Sequence, residues 1–278
     1  MTISSNNNHI QTYLNNDVQL NKTLERVATG LLLNKAADNA ASLAISENLR
    51  TEASGVYQSM ENVNSALAMT QIGDKAMGEQ SNILDSVKKD LLQASTDTTS
   101  QEGREALLEK VQKSLEQLNN IASQTNYNGT NLLQAGPNDT AASDSQEFQA
   151  GSGSSDTIAT NSVQANTTGL GLDDLLNQDP SNFDASTARS FLDTVDEAIN
   201  TLNSERSNFG STANQLESSY RNLATQYTST MEARSILTDV DYAKETSSFS
   251  KQNILAQVGA FGLAQSNVSQ QNVLRLLQ

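Results

Sequence analysis

Cysteine is absent from this 278-residue chain, as is tryptophan, and there is one histidine, His9. The missing cysteines remove a disulfide frame and any thiol chemistry. With His9 alone, neither a HExxH zinc site nor a Ser-His-Asp triad built away from the N-terminus is possible. Proline occurs twice, at Pro137 and Pro180, so long helices can run unbroken on either side of the middle. Aromatic residues make up 4% and hydrophobic residues 36%, too few for a large spherical core. Basic residues are scarce too: 17 Lys and Arg face 32 Asp and Glu, for a net charge of −15. That balance speaks against a nucleic-acid partner or an anionic membrane surface, because there is no basic stripe to displace counterions. No run of 18 apolar residues exists for membrane insertion. Met1 to Gln19 has neither the charged n-region nor the apolar h-region of a Sec signal, so secretion would need another route.

What is present is helical periodicity. Leu192, Val195, Ile199, Leu202, Arg206, Phe209, Ala213, Leu216, Tyr220, Leu223, Tyr227 and Thr230 succeed one another at steps of three and four. This 3.5-residue repeat predicts a helix over about 185–237, roughly 80 Å long, with one narrow face toward partner helices. Such a stripe cannot offset the entropy of ordering its own residues, so partner stripes must exist. One is Leu49, Val56, Val63, Thr70, Met77, Leu84 and Leu91, on a helix over about 41–94 with an expected irregularity near Gly73 and Gly78. Another is Leu108, Val111, Leu115, Leu118 and Ala122, after a turn in which Ser100 is the expected N-cap. The fold class is mainly α: a long antiparallel bundle or coiled coil with a small β-hairpin region in the middle of the chain.

That middle, about 126–184, holds six of the fourteen glycines. Asn128-Gly129 is a hairpin signal, and Phe148, Ile158 and Val163 read as short strands of a small appendage. At the N-terminus, Ile3, Ile10, Asp17, Leu24 and Leu31 stand seven apart, joined by Tyr13, Leu20 and Val27, and the Ser- and Asn-rich 1–9 stretch is expected to fray when alone. Gly30 predicts a break or a close approach, and Asn34 and Asp38 predict turn or capping chemistry. At the C-terminus, residues 246–278 contain two charges, Lys251 and Arg275. The apolar stripe there runs through Ile254, Leu255, Val258, Phe261, Val268, Leu274 and Leu277, opposite a face of amides. A solvated helix is usually charged outside, so this one is expected to be enclosed by neighbouring chains or to line a neutral channel.

Five stretches in order, GLLLNKAADNAA (30–41), NYNGTNLL (126–133), TTGLGL (167–172), DVDYAKE (239–245) and NVLRLLQ (272–278), resemble the landmarks of bacterial flagellin across almost the whole chain. The resemblance implies a structural subunit that self-assembles into an extracellular flagellar filament for swimming. It implies that 1–40 and 243–278 form the two halves of an inner coiled coil, and 41–242 a bundle with the hairpin segment at 126–184. Ile3, Ile10, Leu24, Leu31, Ile254, Leu255, Val258, Phe261, Leu274 and Leu277 are then the expected polymer interface. Leu49, Val56, Val63, Leu84, Leu91, Leu108, Val111, Leu115, Leu118, Leu192, Val195, Ile199, Leu202, Leu216 and Leu223 are the expected bundle core. Further implied partners are an export chaperone, the type III flagellar export apparatus, and cap and hook-junction proteins. The chain departs from the family at Leu32, usually Arg, and at Asn39, usually Asp. It also departs at Leu84 to Asp90, where the family's Toll-like-receptor contact reads LQRVREL: Ser86 replaces an Arg and Asp90 a Leu, while Lys88 and Lys89 follow Val87. Losing the bidentate donor and adding a carboxylate weakens that contact.

No enzymatic constellation survives, and no cofactor is expected. Asp239 and Asp241 lack the Glu and Gly of a calcium loop, so they read as helix-boundary residues. Gly151-Ser152-Gly153 and Gly169-Leu170-Gly171 lack the third glycine of a phosphate cradle. Asp173-Asp174 and Asp193 with Glu197 read as solvated faces, and the Asn-x-Ser/Thr triplets at Asn21, Asn128, Asn138, Asn166 and Asn267 as chance in so polar a chain. The alternatives to a filament subunit are a hook-filament junction protein and a secreted helical binding module or adhesin.

Overall fold

The computed structural model describes residues 2–276, and describes side chains for 10–269 and for Gln271, Asn272 and Arg275. The backbone of residues 2–9 is helical, and the side chain of His9 lies outside what is described. Helices dominate, and all but the short α4 come in the order expected: α1 (Thr2–Thr29), α2 (Ala40–Ala94), α3 (Gln101–Gln124), α4 (Asp173–Leu176), α5 (Ala185–Thr238) and α6 (Tyr242–Leu276). Between α3 and α4 lie two antiparallel hairpins, β1 (Asn126–Tyr127) with β2 (Thr130–Asn131) and β3 (Glu147–Gln149) with β4 (Thr157–Ala159).

Polar residues at the ends fix where each helix starts and stops. Gly30, with φ +73°, ends α1, and a side chain there would run into the Tyr242 hydroxyl 2.8 Å away. The Asn39 amide oxygen accepts the Ser42 N–H at 3.1 Å and opens α2. At its other end, Arg104 donates to the carbonyls of Ala94 at 3.0 Å and Thr96 at 3.1 Å. Ser100 Oγ accepts the Gly103 N–H at 3.2 Å and caps α3. Asp184 accepts the Thr187 N–H at 2.7 Å at the head of α5, and Asp241 accepts those of Ala243 and Lys244 at 3.0 and 3.1 Å at the head of α6.

The Asp184 bonds hold its carboxyl at about 2, below the ordinary 3.8, the Thr187 N–H contributing most and the Ser186 hydroxyl next. A lowered carboxylate pKa stabilises the folded state at pH values above the unfolded pKa, and that contribution is lost as pH falls through the folded one. Asp184→Ala is therefore expected to lower the melting temperature at pH 7, with the gap to the parent closing between about pH 4 and pH 2. A gap independent of pH in calorimetry would show that the carboxylate charge is not what caps α5.

The chain divides into two compact units, Ser54–Tyr227 and the two ends, Met1–Ala53 with Thr228–Gln278. The core of Ser54–Tyr227 has two clusters, a larger one where the heptad stripes of α2, α3 and α5 meet and a smaller one of Val56, Val63, Ala66, Leu216 and Leu223 between α2 and α5. Val56, Val63, Leu84, Leu91, Leu108, Val111, Leu115, Leu118, Val195, Leu202, Leu216 and Leu223 are all buried. Leu192 and Ile199 are half-buried against it. On α5 the stripe takes Ala198 and Thr212 into the buried row beside Phe209. Arg206, within the stripe, keeps its guanidinium on Asp74 at 3.1 Å.

Two expectations are corrected. The helix over 40–94 runs unbroken through Gly73 and Gly78. The slip in hydrophobic register there reflects packing across to α5: a Cβ on Gly73 would stand 2.5 Å from Phe209 Cε1. A missing side chain makes room for a ring without disturbing the helix. Nor is the middle segment an appendage. Leu132, Leu133, Val163, Ala165, Leu172, Leu175 and Phe183 are buried in the same core as α2, α3 and α5. Gln80, fully buried on α2, fastens the segment by donating to the carbonyls of Leu118 at 3.1 Å and Ala165 at 2.7 Å. The hairpins form around Asn128-Gly129, with both residues at positive φ, and with Phe148 opposite Ile158. Val163 is buried but belongs to no strand.

Candidate assembly surface

The two chain ends form one helical pair, and most of its large apolar side chains lie outside the seam. α1 and α6 pack antiparallel, since Arg26 meets Glu245, Thr23 and Asn16 both meet Gln252, and Tyr13 meets Gly259. The less exposed residues of α1 and its end include Tyr13, Asn16, Leu20, Thr23, Val27 and Gly30, in three-four rhythm, with Glu25 and Arg26 beside them. Those of α6 include Glu245, Phe249, Gln252, Ala256, Gly259 and Leu263, in the same rhythm, with Ser248, Asn253 and Ser266 beside them. Leu20, Val27, Phe249 and Leu263 give this seam some apolar contact, and its other members are polar, small or the ring of Tyr13. Thr23 Oγ1 donates to Gln252 Oε1 at 2.9 Å, Asn16 Nδ2 donates to the Gln252 carbonyl at 2.9 Å, and Arg26 lies 3.7 Å from the buried Glu245 carboxylate.

The other apolar residues turn outward. Ile254, Val258 and Phe261 are 61%, 62% and 76% exposed, and Leu255 and Val268 about half. On α1, Ile10, Leu14, Val18 and Leu24 are exposed, whereas Leu31 is half-buried. Ile3 and Leu274 stand on these helices with side chains outside the described residues, and Leu277 lies outside them altogether. Leu49 is half-buried and belongs with the terminal unit. The N-terminal heptad that the sequence displays is thus split: Ile10 and Leu24 face out, while Tyr13, Leu20 and Val27 join the seam. Leu14 and Val18 escaped that reading because they fall between heptad positions. Ile236, on α5, is the most exposed of the large apolar side chains among the described residues, at 81%.

Charge is distributed to match. Residues 54–227 carry 23 Asp and Glu against 9 Lys and Arg, whereas the terminal unit carries 9 against 8. Like surfaces of a nearly neutral unit approach one another without Coulomb penalty.

Behind the pair, the connections are tied together. Leu32 N–H donates to the Thr238 carbonyl at 2.6 Å and Val240 N–H to that of Gly30 at 3.0 Å. Asp38 accepts the N–H groups of Lys35 at 3.0 Å and Asn34 at 3.2 Å, which hold its carboxyl below the usual range. Leu32 meets the other connection through its backbone, and Asn39 serves as a cap.

The other candidates resolve into structure. Asp239 accepts the hydroxyls of Ser235 and Thr238, and Asp241 caps α6. Asp193 and Glu197 are exposed, and Asp156 sits in the Gly151–Gly153 turn. Asn166 is 1% exposed and hydrogen-bonded to Gln134 and Thr140. Among the described residues no group of three or more His, Asp or Glu side chains is placed to hold a metal ion, and no helix is long and apolar enough to cross a membrane. Along Leu84 to Asp90, Leu84 is buried in the core and Asp90 is buried on Lys110 at 2.8 Å. Ser86 and Lys89 are exposed, and Lys88 pairs with Asp196.

Residues 2–137 match the bacterial flagellin N-terminal helical region and residues 192–277 the C-terminal helical region. The chain is 31% identical to a flagellin of Halalkalibacterium halodurans over the full length of both. It is 30% identical to a flagellin of Bacillus subtilis over 98% of this chain and 97% of that one. The crystal structure of Bacillus cereus flagellin superposes with a TM-score of 0.50 at 27% identity, over 59% of this chain and 88% of that one. The landmarks, the helix order and full-length similarity agree: this chain belongs to the bacterial flagellin family and is a short structural subunit of the flagellar filament.

Proposed function

We propose that the outward apolar faces of α1 and α6 are the surface through which copies of this chain polymerise. The observation that carries this reading is the division of side chains in the helix pair: hydrogen-bonded and small residues fill much of the seam, while Ile254, Val258 and Phe261 stand outside it. In water such a pair leaves most of its apolar area uncovered, and it is completed when other copies cover the stripes. The contact is heterologous, so successive subunits do not close a ring and a helical filament grows. Residues 1–40 and 243–278 act as the two halves of an inner coiled coil and 41–242 as a helical bundle. The leucine and valine stripes of α2, α3 and α5 supply that bundle's core and carry torque along the subunit.

The filament is extracellular, and the chain reaches it through the type III flagellar export apparatus, without a Sec signal, delivered by an export chaperone. Cap and hook-junction proteins meet the same terminal helices at the ends of the filament. The role is structural and involves no catalysis or cofactor. Purified chain seeded with sheared filament is expected to pellet as polymer in moderate salt, which screens the acidic unit. A chain that stays soluble at every salt concentration while binding saturably to a target would favour the adhesin reading.

The receptor-facing stretch gives a second test. With Ser86 in place of an arginine and Asp90 drawn into the Lys110 pair, the chain lacks a bidentate donor and an apolar anchor. Reporter cells expressing the flagellin-sensing Toll-like receptor are expected to respond weakly. Robust signalling at low protein dose would refute this.

A further inference from the structure

The seam between α1 and α6 has an internal symmetry that the polymerising face does not explain. Tyr13 rests on Gly259, where a Cβ would stand 3.2 Å from the Tyr13 Cδ2, and Tyr242 rests on Gly30, where a Cβ would stand 2.8 Å from the hydroxyl oxygen. The Tyr-to-Gly spacing is seventeen residues in each case, 13 to 30 and 242 to 259. The Tyr242 hydroxyl on Gly30 therefore stands at one end of the antiparallel pair and the Tyr13 ring on Gly259 about midway along it, and the two contacts are related by exchange of the helices. Between them Gln252 reaches two turns of α1 at once, its side chain accepting from Thr23 and its carbonyl from Asn16. Thr23 is 3% exposed, so this hydrogen bond is sheltered from water.

We infer that Tyr13–Gly259, Gly30–Tyr242 and the Gln252 bridge form a register lock that fixes how α1 lies along α6. Apolar contacts such as those of Leu20 and Phe249 tolerate slippage, because one hydrocarbon surface replaces another at little cost. Polar and ring-on-glycine contacts do not: a shift by one turn, about 5 Å, strands a sheltered hydroxyl and sets a ring against a Cβ. Like a lone polar residue in a coiled-coil seam, the lock specifies alignment at the cost of stability. It aligns the outward stripes Ile254–Val258–Phe261 and Ile10–Leu14–Val18 into one surface while leaving the pair dependent on neighbours for its stability. The inference rests on the polymer reading above for its purpose, and its geometry stands separately. Tyr13, Gly259, Gly30, Tyr242, Thr23 and Gln252 are positioning residues for assembly.

The test uses the full chain, whose lack of cysteine permits paired nitroxide labels at Asn15→Cys and Gln257→Cys, both exposed. In filaments diluted with unlabelled chain, the parent is expected to give one narrow inter-label distance. Gly259→Leu is expected to broaden or displace it and to raise the critical concentration about tenfold or more. Adding Tyr13→Ala, which vacates the space the leucine needs, is expected to restore both. An unchanged distance in Gly259→Leu, or no recovery with Tyr13→Ala, overturns the lock. If the parent itself grows no filament, the polymer reading fails, and the lock is judged on the same distance in the soluble chain. There, narrow for the parent and broad for Gly259→Leu upholds it, and equal distributions overturn it.

Discussion

Val258→Asp combined with Phe261→Asp is expected to abolish filament growth while leaving the unfolding of residues 54–227 where it was. The two side chains are 62% and 76% exposed in the single chain, so charging them breaks little contact there. Substitutions at such positions change stability by less than about 0.5 kcal/mol. Within a polymer the same positions are covered, and each subunit would bring two carboxylates into an apolar contact. Burying an unpaired carboxylate costs several kcal/mol, repeated at every subunit added. Seeded growth followed by sedimentation, beside a denaturant melt, reads both halves. Normal growth of the double variant would move the polymerising surface away from α6.

Leu115→Ala is expected to remove about 2–5 kcal/mol from the bundle, out of the roughly 5–15 kcal/mol that holds a domain together. Leu115 is fully buried in the middle of α3, in a core shared by α2, α5 and the irregular segment, and partial relaxation around the lost atoms leaves a cavity. The paired control is Leu92→Ala. Leu92 is 51% exposed, one residue beyond the fully buried Leu91 on the same helix, and its loss is expected to stay within about 0.5 kcal/mol. Equal shifts in the denaturant midpoint for the two variants would contradict the assignment of the core.

The helices and their ends were legible in the sequence because both signals are local. A three-four stripe states its own helix, and Ser100 as the cap of α3 needs only its neighbours. Phe148 and Ile158, on either side of a Gly/Ser tract, likewise announced their strands. What stayed hidden depends on contacts distant in the chain. Leu132, Leu172 and Phe183 lie in irregular backbone with no period, so their burial with α2 and α3 left no pattern to read. Gly73 looked like a flaw in a helix because Phe209, 136 positions later, fills the space it leaves. At the ends, the spacing of apolar residues located a stripe but not the direction it faces. Amides usually mark a wet face, yet Asn16 and Gln252 bond across the seam, and only the pairing of α1 with α6 reveals that.

That pairing is the centre of the account, and electron microscopy tests it most directly. Intact chain and chain lacking residues 243–278 are dialysed into moderate salt and seeded with sheared filament. Long filaments from the intact chain and none from the truncated one, whose residues 54–227 still unfold cooperatively, are the result expected. Filaments of equal length from both would contradict it, because growth would then need neither the α6 stripe nor the seam that orients it.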